Sequence, residues 1–273
     1  MSTRPIDFFL TFGQIYTDMK VLRILAATAG SLLLLAGCNR VIKTASVHDE
    51  GNVPLAEGSE ASLSYSYDVE YLTGGVSREV MDRINTSLVQ DQILMGEEAS
   101  DMDVKSACEV WANGLVEGYQ ADTESFLDDY DEEASWMFNW EYELNGSFAG
   151  ADPARHLQTY CVFYREYTGG AHGLFGYTYT VYDLTTGAVV KEDDLFREGY
   201  EDGISELLLE KVTESLEEQS FGDALMGEPY PNSNFSVDKD GITWYFNPYE
   251  VAVYAAGVLE ATLSWTDLKP FLK

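Results

Sequence analysis

Trp136-Met-Phe-Asn-Trp-Glu-Tyr-Glu-Leu144 is the segment that decides the fold of this 273-residue chain. Every second residue of the segment is large and apolar, which is the period of a strand with one buried face. Asn145-Gly146 follows directly and is a signal for a tight turn between strands. The segment therefore predicts a strand that ends in a turn near the middle of the chain.

Outward from this segment, alternating and helical patterns occur in separate runs. Further strands are predicted over 63–72, 157–167, 174–183 and about 258–264, with two short ones joined at Asp238-Lys239-Asp240-Gly241. Helices are predicted over 76–94, about 103–130 and about 201–219, where apolar residues recur every three to four positions. Segregated strands and helices indicate an α+β fold. We expect a mainly antiparallel sheet packed with about three helices, in two intimately associated subdomains, residues 61–150 and 151–273.

A short apolar run near the N-terminus predicts secretion. Lys20 and Arg23 precede the run from Ile24 to Leu35, which continues into Ala36-Gly37-Cys38. A basic start, a short apolar stretch and small residues before a cleavage site are features of a secretory signal peptide. Leu35-Ala36-Gly37-Cys38 resembles the lipobox of bacterial lipoproteins, which implies a lipid on the Cys38 thiol. The alternative is a transmembrane anchor, but the run of about 12 residues is shorter than the roughly 20 that span a bilayer.

The lipobox also sets the boundaries of the N-terminal region. We expect residues 1–37 to be a leader and lipoprotein signal peptide, with Met19 as the true start. Residues 38–60 are polar and contain Pro54, so they are predicted to be the lipidated cysteine and a flexible tether. No aspartate follows Cys38, which by resemblance to lipoprotein sorting signals implies the outer membrane. The predicted location is the cell envelope, with the N-terminal lipid in the membrane.

The charge of the chain excludes several functions. It has 47 acidic and 16 basic side chains, a net charge of −31. This charge repels phosphate and argues against a nucleic-acid partner, whereas it speeds the encounter with cationic partners. The alternative is that the acids simply solvate exposed faces. There is no His-x-x-x-His spacing, cysteine cluster or glycine-rich phosphate loop, so no metal and no cofactor is predicted.

The cysteines allow one bridge. With Cys38 assigned to a lipid, Cys108 and Cys161 form an even pair in an oxidising compartment. A disulfide between them would close a loop of about fifty residues and stabilise the fold by roughly 4 kcal/mol. The alternative is two buried thiols, since cysteine packs well as a small apolar residue.

Two stretches of the C-terminal half resemble a known family. They are Tyr167-Thr-Gly-Gly-Ala-His-Gly173 and Trp244-Tyr-Phe-Asn-Pro-Tyr-Glu-Val-Ala-Val-Tyr-Ala-Ala-Gly257. Together they resemble the extracytoplasmic domain of RsiV-type anti-sigma factors, a domain that also occurs beside some peptidoglycan deacetylases and in stand-alone lipoproteins. The resemblance covers about 155–272, and residues 61–150 resemble the domain of unknown function that usually precedes it. Because RsiV binds lysozyme, the resemblance implies a lysozyme-like cationic protein as a partner.

The same stretches supply the candidate ligand-binding residues, which are His172, Tyr245, Tyr249, Glu250 and Tyr254. His172 follows a pair of glycines that permits a tight turn. The tyrosines could stack on sugar rings or on a protein partner, with Glu250 as an acceptor for their hydroxyls. The alternative for His172 is a turn residue, and for the tyrosines a structural corner at Pro248.

We therefore predict a non-catalytic binding module for a lysozyme-like cationic protein or for peptidoglycan fragments. One alternative is a hydrolase that acts on envelope glycans through His172 and nearby carboxylates. Another is a purely architectural envelope protein. The sequence has no Gly-x-Ser-x-Gly elbow, and no catalytic residue is assigned.

Overall fold

A computed structural model describes residues 41–57, 59, 61–96, 102–127 and 137–273. The predicted leader and signal peptide, the candidate start Met19 and the candidate lipidation site Cys38 lie outside these residues. The described residues belong to one compact unit. None of the described helices is long and apolar enough to cross a membrane.

The larger sheet has six strands, which lie side by side in sequence order. They are β1 (Lys43–Pro54), β2 (Ser62–Gly74), β3 (Trp140–Asp152), β4 (Leu157–Tyr167), β5 (Leu174–Asp183) and β6 (Val189–Val190). Neighbouring strands are antiparallel, except that β2 and β3 are parallel. Parallel neighbours need a long crossover, and the helices between β2 and β3 supply it.

The crossover packs on the first face of this sheet. It consists of α1 (Arg78–Ser87), a π-helical turn (Leu88–Ile93) and α2 (Val104–Leu127). Val80, Ile84 and Leu88 recur every four residues and are buried, so the stripe predicted from the sequence faces the core. It packs against Leu144 and Val162 from the middle of the sheet.

The C-terminal elements form a second sheet with its own core. The strands are β7 (Phe235–Val237), β8 (Gly241–Phe246) and β9 (Leu259–Ser264), all antiparallel. The helices are α3 (Glu192–Leu195), α4 (Glu201–Glu218) and α5 (Trp265–Leu268), with a 3-10 turn at Tyr254–Ala256. Ile204 and Leu208 of α4 pack against the buried Trp244 of β8. Two mainly antiparallel sheets with three long helices confirm the predicted α+β class.

Two segments differ from their predictions. Residues 43–54, expected in the flexible tether, form β1 and pair along their length with β2. Asn145-Gly146, expected to be a turn, lies inside β3. The glycine is needed for close packing instead, because a Cβ at Gly146 would lie 2.2 Å from the hydroxyl oxygen of Tyr160.

The predicted boundary between residues 61–150 and 151–273 lies within the large sheet. The boundary at 150/151 falls inside β3, which ends at Asp152. Strands from both predicted subdomains therefore share one hydrogen-bonded sheet.

The two described cysteines are not joined by a disulfide. Cys108 of α2 is buried on the first face of the large sheet, together with Tyr160 and Val162 of β4. Cys161 lies between those two residues in the strand. Because successive side chains of a strand point to opposite faces, Cys161 points away from Cys108, which removes the predicted bridge.

Candidate functional site

Three of the predicted residues come together at one exposed cluster, which we call the aromatic cluster: His172, Tyr249 and Tyr254. The His172 ring stacks on Tyr254, with 4.1 Å between centroids and 22° between planes. The Tyr249 hydroxyl lies 3.4 Å from His172 Nε2, and the Tyr249 and Tyr254 rings are 5.4 Å apart. Side chains from two distant stretches of the sequence thus form one surface.

Two turns with left-handed backbone angles bring the cluster together. Gly169 and Gly170, with φ of +95° and +93°, turn the chain between β4 and His172. Tyr249 itself has a φ of +71° and is 50% exposed. A non-glycine residue in this region is strained, and such strain is typical of functional positions.

Tyr254 ties the second turn to the first. Its hydroxyl donates a 2.7 Å hydrogen bond to the carbonyl oxygen of Gly173, which also lies 3.1 Å from His172 Nδ1. Burial raises the pKa of the Tyr254 hydroxyl. Tyr254 therefore stays a neutral donor and fixes the ring on which His172 stacks.

Glu250 does not accept from the tyrosines, in contrast to the prediction. Its carboxylate accepts from the Asn247 backbone N–H at 2.9 Å and from Asn232 Nδ2 at 2.6 Å. The first bond closes the turn after β8, and the second ties this turn to the segment before β7. Glu250 therefore shapes the loop that carries Tyr249 and is not part of the exposed cluster.

Two asparagines attach this loop region to the part of β5 that β6 leaves unpaired. Asn247 accepts from the Tyr177 N–H at 2.8 Å and donates to the Tyr177 carbonyl at 3.0 Å. Asn234 accepts from the Tyr179 N–H and donates to the same Tyr177 carbonyl. The side-chain amides take the place of a neighbouring strand and cover an edge that would otherwise be open to pairing.

Tyr245, the fifth predicted residue, lies in β8 away from the aromatic cluster. Its ring stacks on Tyr179 at a centroid distance of 3.7 Å and an angle of 13°. Its hydroxyl lies 3.1 Å from Ser236 Oγ, and burial raises its pKa. Tyr245 joins the two sheets and is not an exposed ligand contact.

The cluster suits binding better than acid–base chemistry. Among the contacts of the described residues, His172 has no carboxylate partner; its neighbours are aromatic rings and a carbonyl. No group of three or more described His, Cys, Asp or Glu residues is arranged to hold a metal ion. Flat rings at the surface can stack on a ligand or bind a cation over their faces.

The sequence did not predict the contact of Phe175 with the cluster or the burial of Glu192 in the core of the second sheet. Phe175 contacts the Tyr254 ring edge-on at a centroid distance of 5.9 Å. The alternating pattern of residues in β5 was the sequence feature that could have indicated on which face Phe175 lies. Glu192 is 4% exposed and accepts from Trp244 Nε1 at 2.7 Å and from Ser233 Oγ at 2.9 Å. A carboxylate in an acidic stretch gives no sequence signal for such burial.

The comparisons with known proteins agree with this architecture. Residues 193–266 match a family described as a protein of unknown function, DUF3298. The fold is similar to that of a DUF3298 family member from Bacteroides fragilis, with a TM-score of 0.75, 21% identity, and coverage of 85% of this chain and 94% of that one. A DUF3298 family protein from Pseudomonas aeruginosa is similar at a TM-score of 0.62 and 16% identity, over 87% of this chain and 97% of that one. No curated protein sequence gives a significant match.

Proposed function

We propose that this chain is a non-catalytic binding module of the cell envelope, held at the outer membrane by a lipid on Cys38. Its proposed ligand is a cationic protein of the lysozyme type. The observation that carries the proposal is the exposed aromatic cluster, in which a strained, half-exposed Tyr249 is held beside the stacked rings of His172 and Tyr254.

The chemistry of the cluster fits a basic protein. Tyrosines are enriched among the residues that dominate protein–protein binding energy. Arginine and lysine side chains bind favourably over tyrosine rings. A net charge of −31 attracts a basic protein over distance and raises its association rate. The same charge supports the proposal that nucleic acids are not partners.

The test measures binding of lysozyme to the folded protein at low and at high salt, with two matched variants. Tyr249→Ala removes a ring that is 50% exposed in the cluster, and Tyr230→Ala removes one that is 51% exposed elsewhere. We expect salt-sensitive binding at micromolar concentration that only Tyr249→Ala weakens. Absence of binding, or equal effects of both variants, would contradict the proposal.

Peptidoglycan fragments are the second candidate ligand, because tyrosine rings also stack on sugars. Competition between soluble fragments and lysozyme tests whether both use the aromatic cluster. Incubation of the wild type and His172→Ala with peptidoglycan tests the hydrolase alternative. We expect unchanged muropeptides with both proteins, because His172 has no carboxylate among its described contacts.

A further inference from the structure

The second face of the large sheet carries two rows of side chains outside the buried core, of which Phe175 also contacts the aromatic cluster. Across β1 to β5 the first row is Glu50, Ser66, Glu143, Arg165 and Phe175. The second row is His48, Asp68, Asn145, Phe163 and Tyr177. Partners in register on one face are direct neighbours, so these ten residues form one surface, which we call the open face.

The small sheet packs on the other end of this side and borders the open face at β5, where Tyr245 stacks on Tyr179 next to Tyr177. Val237 of β7 bonds to Thr159 of β4 and lies close to Gly150 of β3. The open face begins beyond these contacts. His48, Glu50 and Asp68 are exposed, and the remaining seven residues are partly exposed. A ligand can therefore reach both rows from solvent.

Rings and carboxylates are separated along the rows. Phe163 and Tyr177 pack with their centroids 5.0 Å apart at one side. Glu50, Asp68 and Glu143 lie at the other side, where Asn145 donates a hydrogen bond to Glu143 and holds its carboxylate in place. Neighbouring strands are about 4.8 Å apart, so the distance from β2 to β5 is about 14 Å.

The charge of the open face selects the ligand. The single guanidinium, on Arg165, is already paired with Glu141 at 2.8 Å. The carboxylates of the two rows therefore stay in excess, and they repel phosphates, sulfates and other anions. A matching ligand carries positive charge together with flat, weakly polar faces that can lie on aromatic rings.

We propose that the open face binds a glycan with free amino groups. Its pyranose faces stack on Phe163 and Tyr177, and its ammonium groups contact Glu143 and Asp68. An amino sugar combines a ring face with a cation, which is the combination that these rows present. The inference does not rest on the proposed binding of a cationic protein, because it uses other residues and another ligand class.

The experiment titrates the full folded protein with three hexamers of equal length. These are the β-1,4-linked hexamer of glucosamine, its fully N-acetylated counterpart and hexalysine. We expect the glucosamine hexamer to bind most tightly and to weaken with salt. N-acetylation removes the charge, and hexalysine lacks the ring. Equal binding of the acetylated hexamer would overturn the role of the carboxylates, and equal binding of hexalysine would overturn the role of the rings.

Matched variants connect the binding to this surface. Phe163→Leu keeps an apolar side chain but removes the flat ring, and we expect a loss of about 2- to 12-fold in affinity for the glucosamine hexamer. The double variant Asp68→Asn with Glu143→Gln should bind the glucosamine hexamer about 2- to 30-fold more weakly. The control pair Glu206→Gln with Glu217→Gln makes the same change in charge on exposed positions of α4.

The controls also separate this inference from the proposed function. Unchanged affinity in the open-face variants, or an equal loss in the α4 pair, overturns the inference. Tyr249→Ala should weaken the binding of lysozyme and leave the glucosamine hexamer bound. Failure of either proposal is therefore visible without failure of the other.

Discussion

Replacement of Asn247 by alanine should destabilise the protein through the edge of β5. The Asn247 amide accepts from the Tyr177 N–H at 2.8 Å and donates to the Tyr177 carbonyl at 3.0 Å. Each bond contributes about 1 kcal/mol net, so the free energy of unfolding should fall by about 2 kcal/mol. For a chain of this size that corresponds to a decrease in Tm of about 4–8 °C.

The assay is urea unfolding followed by two probes, with the midpoint and slope fitted together. Asn247→Asp is the informative partner, because it preserves the shape but brings a second carboxylate beside Glu250 and the Tyr177 carbonyl. It should destabilise at least as much as alanine does. Asn52→Ala changes an exposed asparagine and should cost less than about 0.5 kcal/mol. A loss at Asn247 no larger than at Asn52 would refute the assigned role of the side-chain amide.

Three further outcomes follow from single residues. Glu192→Ala leaves the Trp244 Nε1–H and Ser233 hydroxyl donors without an acceptor, so the free energy of unfolding in urea should fall by about 2–6 kcal/mol, whereas the exposed Glu198→Ala should not lower it. Tyr249→Gly should relieve left-handed backbone strain, keeping the unfolding free energy within about 1 kcal/mol of wild type while lysozyme binding falls. Burial raises the pKa of the Cys108 thiol from 9.0 to about 12. The contribution of the neutral thiol to the free energy of unfolding is complete below pH 9 and declines as the pH rises towards 12. Cys108→Ala should therefore reduce the loss of stability at alkaline pH, measured by unfolding at several pH values.

The sequence predicts best the elements that bury one face. The helix α4 repeats Ile204, Leu208, Val212 and Leu216 at helical spacing, and all four are buried. By contrast, β1 is an edge strand whose residues are all exposed or half-buried. It therefore has no strong period of two, and its polar composition resembles a tether.

The candidate site is only partly visible in the sequence for a similar reason. His172, Tyr249 and Tyr254 could be selected because rings and histidine in glycine-rich loops are unusual. The roles of Asn247 and Glu250 depend on a strand edge and a turn brought together from residues about 70 positions apart. Side chains alternate between the two faces along β4, and this alternation places Cys161 on the face opposite Cys108. The spacing of cysteines in the sequence does not reveal on which face a strand residue lies.

The position of β1 also changes what a lipid on Cys38 would do. Four residues lie between Cys38 and Lys43, and the five Cα-to-Cα steps reach at most about 18 Å in any conformation. A tether that continued to residue 60 would have reached about 75 Å. A lipid would therefore hold Lys43, at the start of the β1 edge of the sheet, close to the membrane. β5 lies four strand spacings from that edge, about 19 Å across the sheet. If the β1 edge faces the membrane, this distance exceeds the screening length of about 8 Å at physiological salt, and the potential of anionic headgroups is weak at β5. A cationic ligand near β5 thus meets mainly the field of the protein itself.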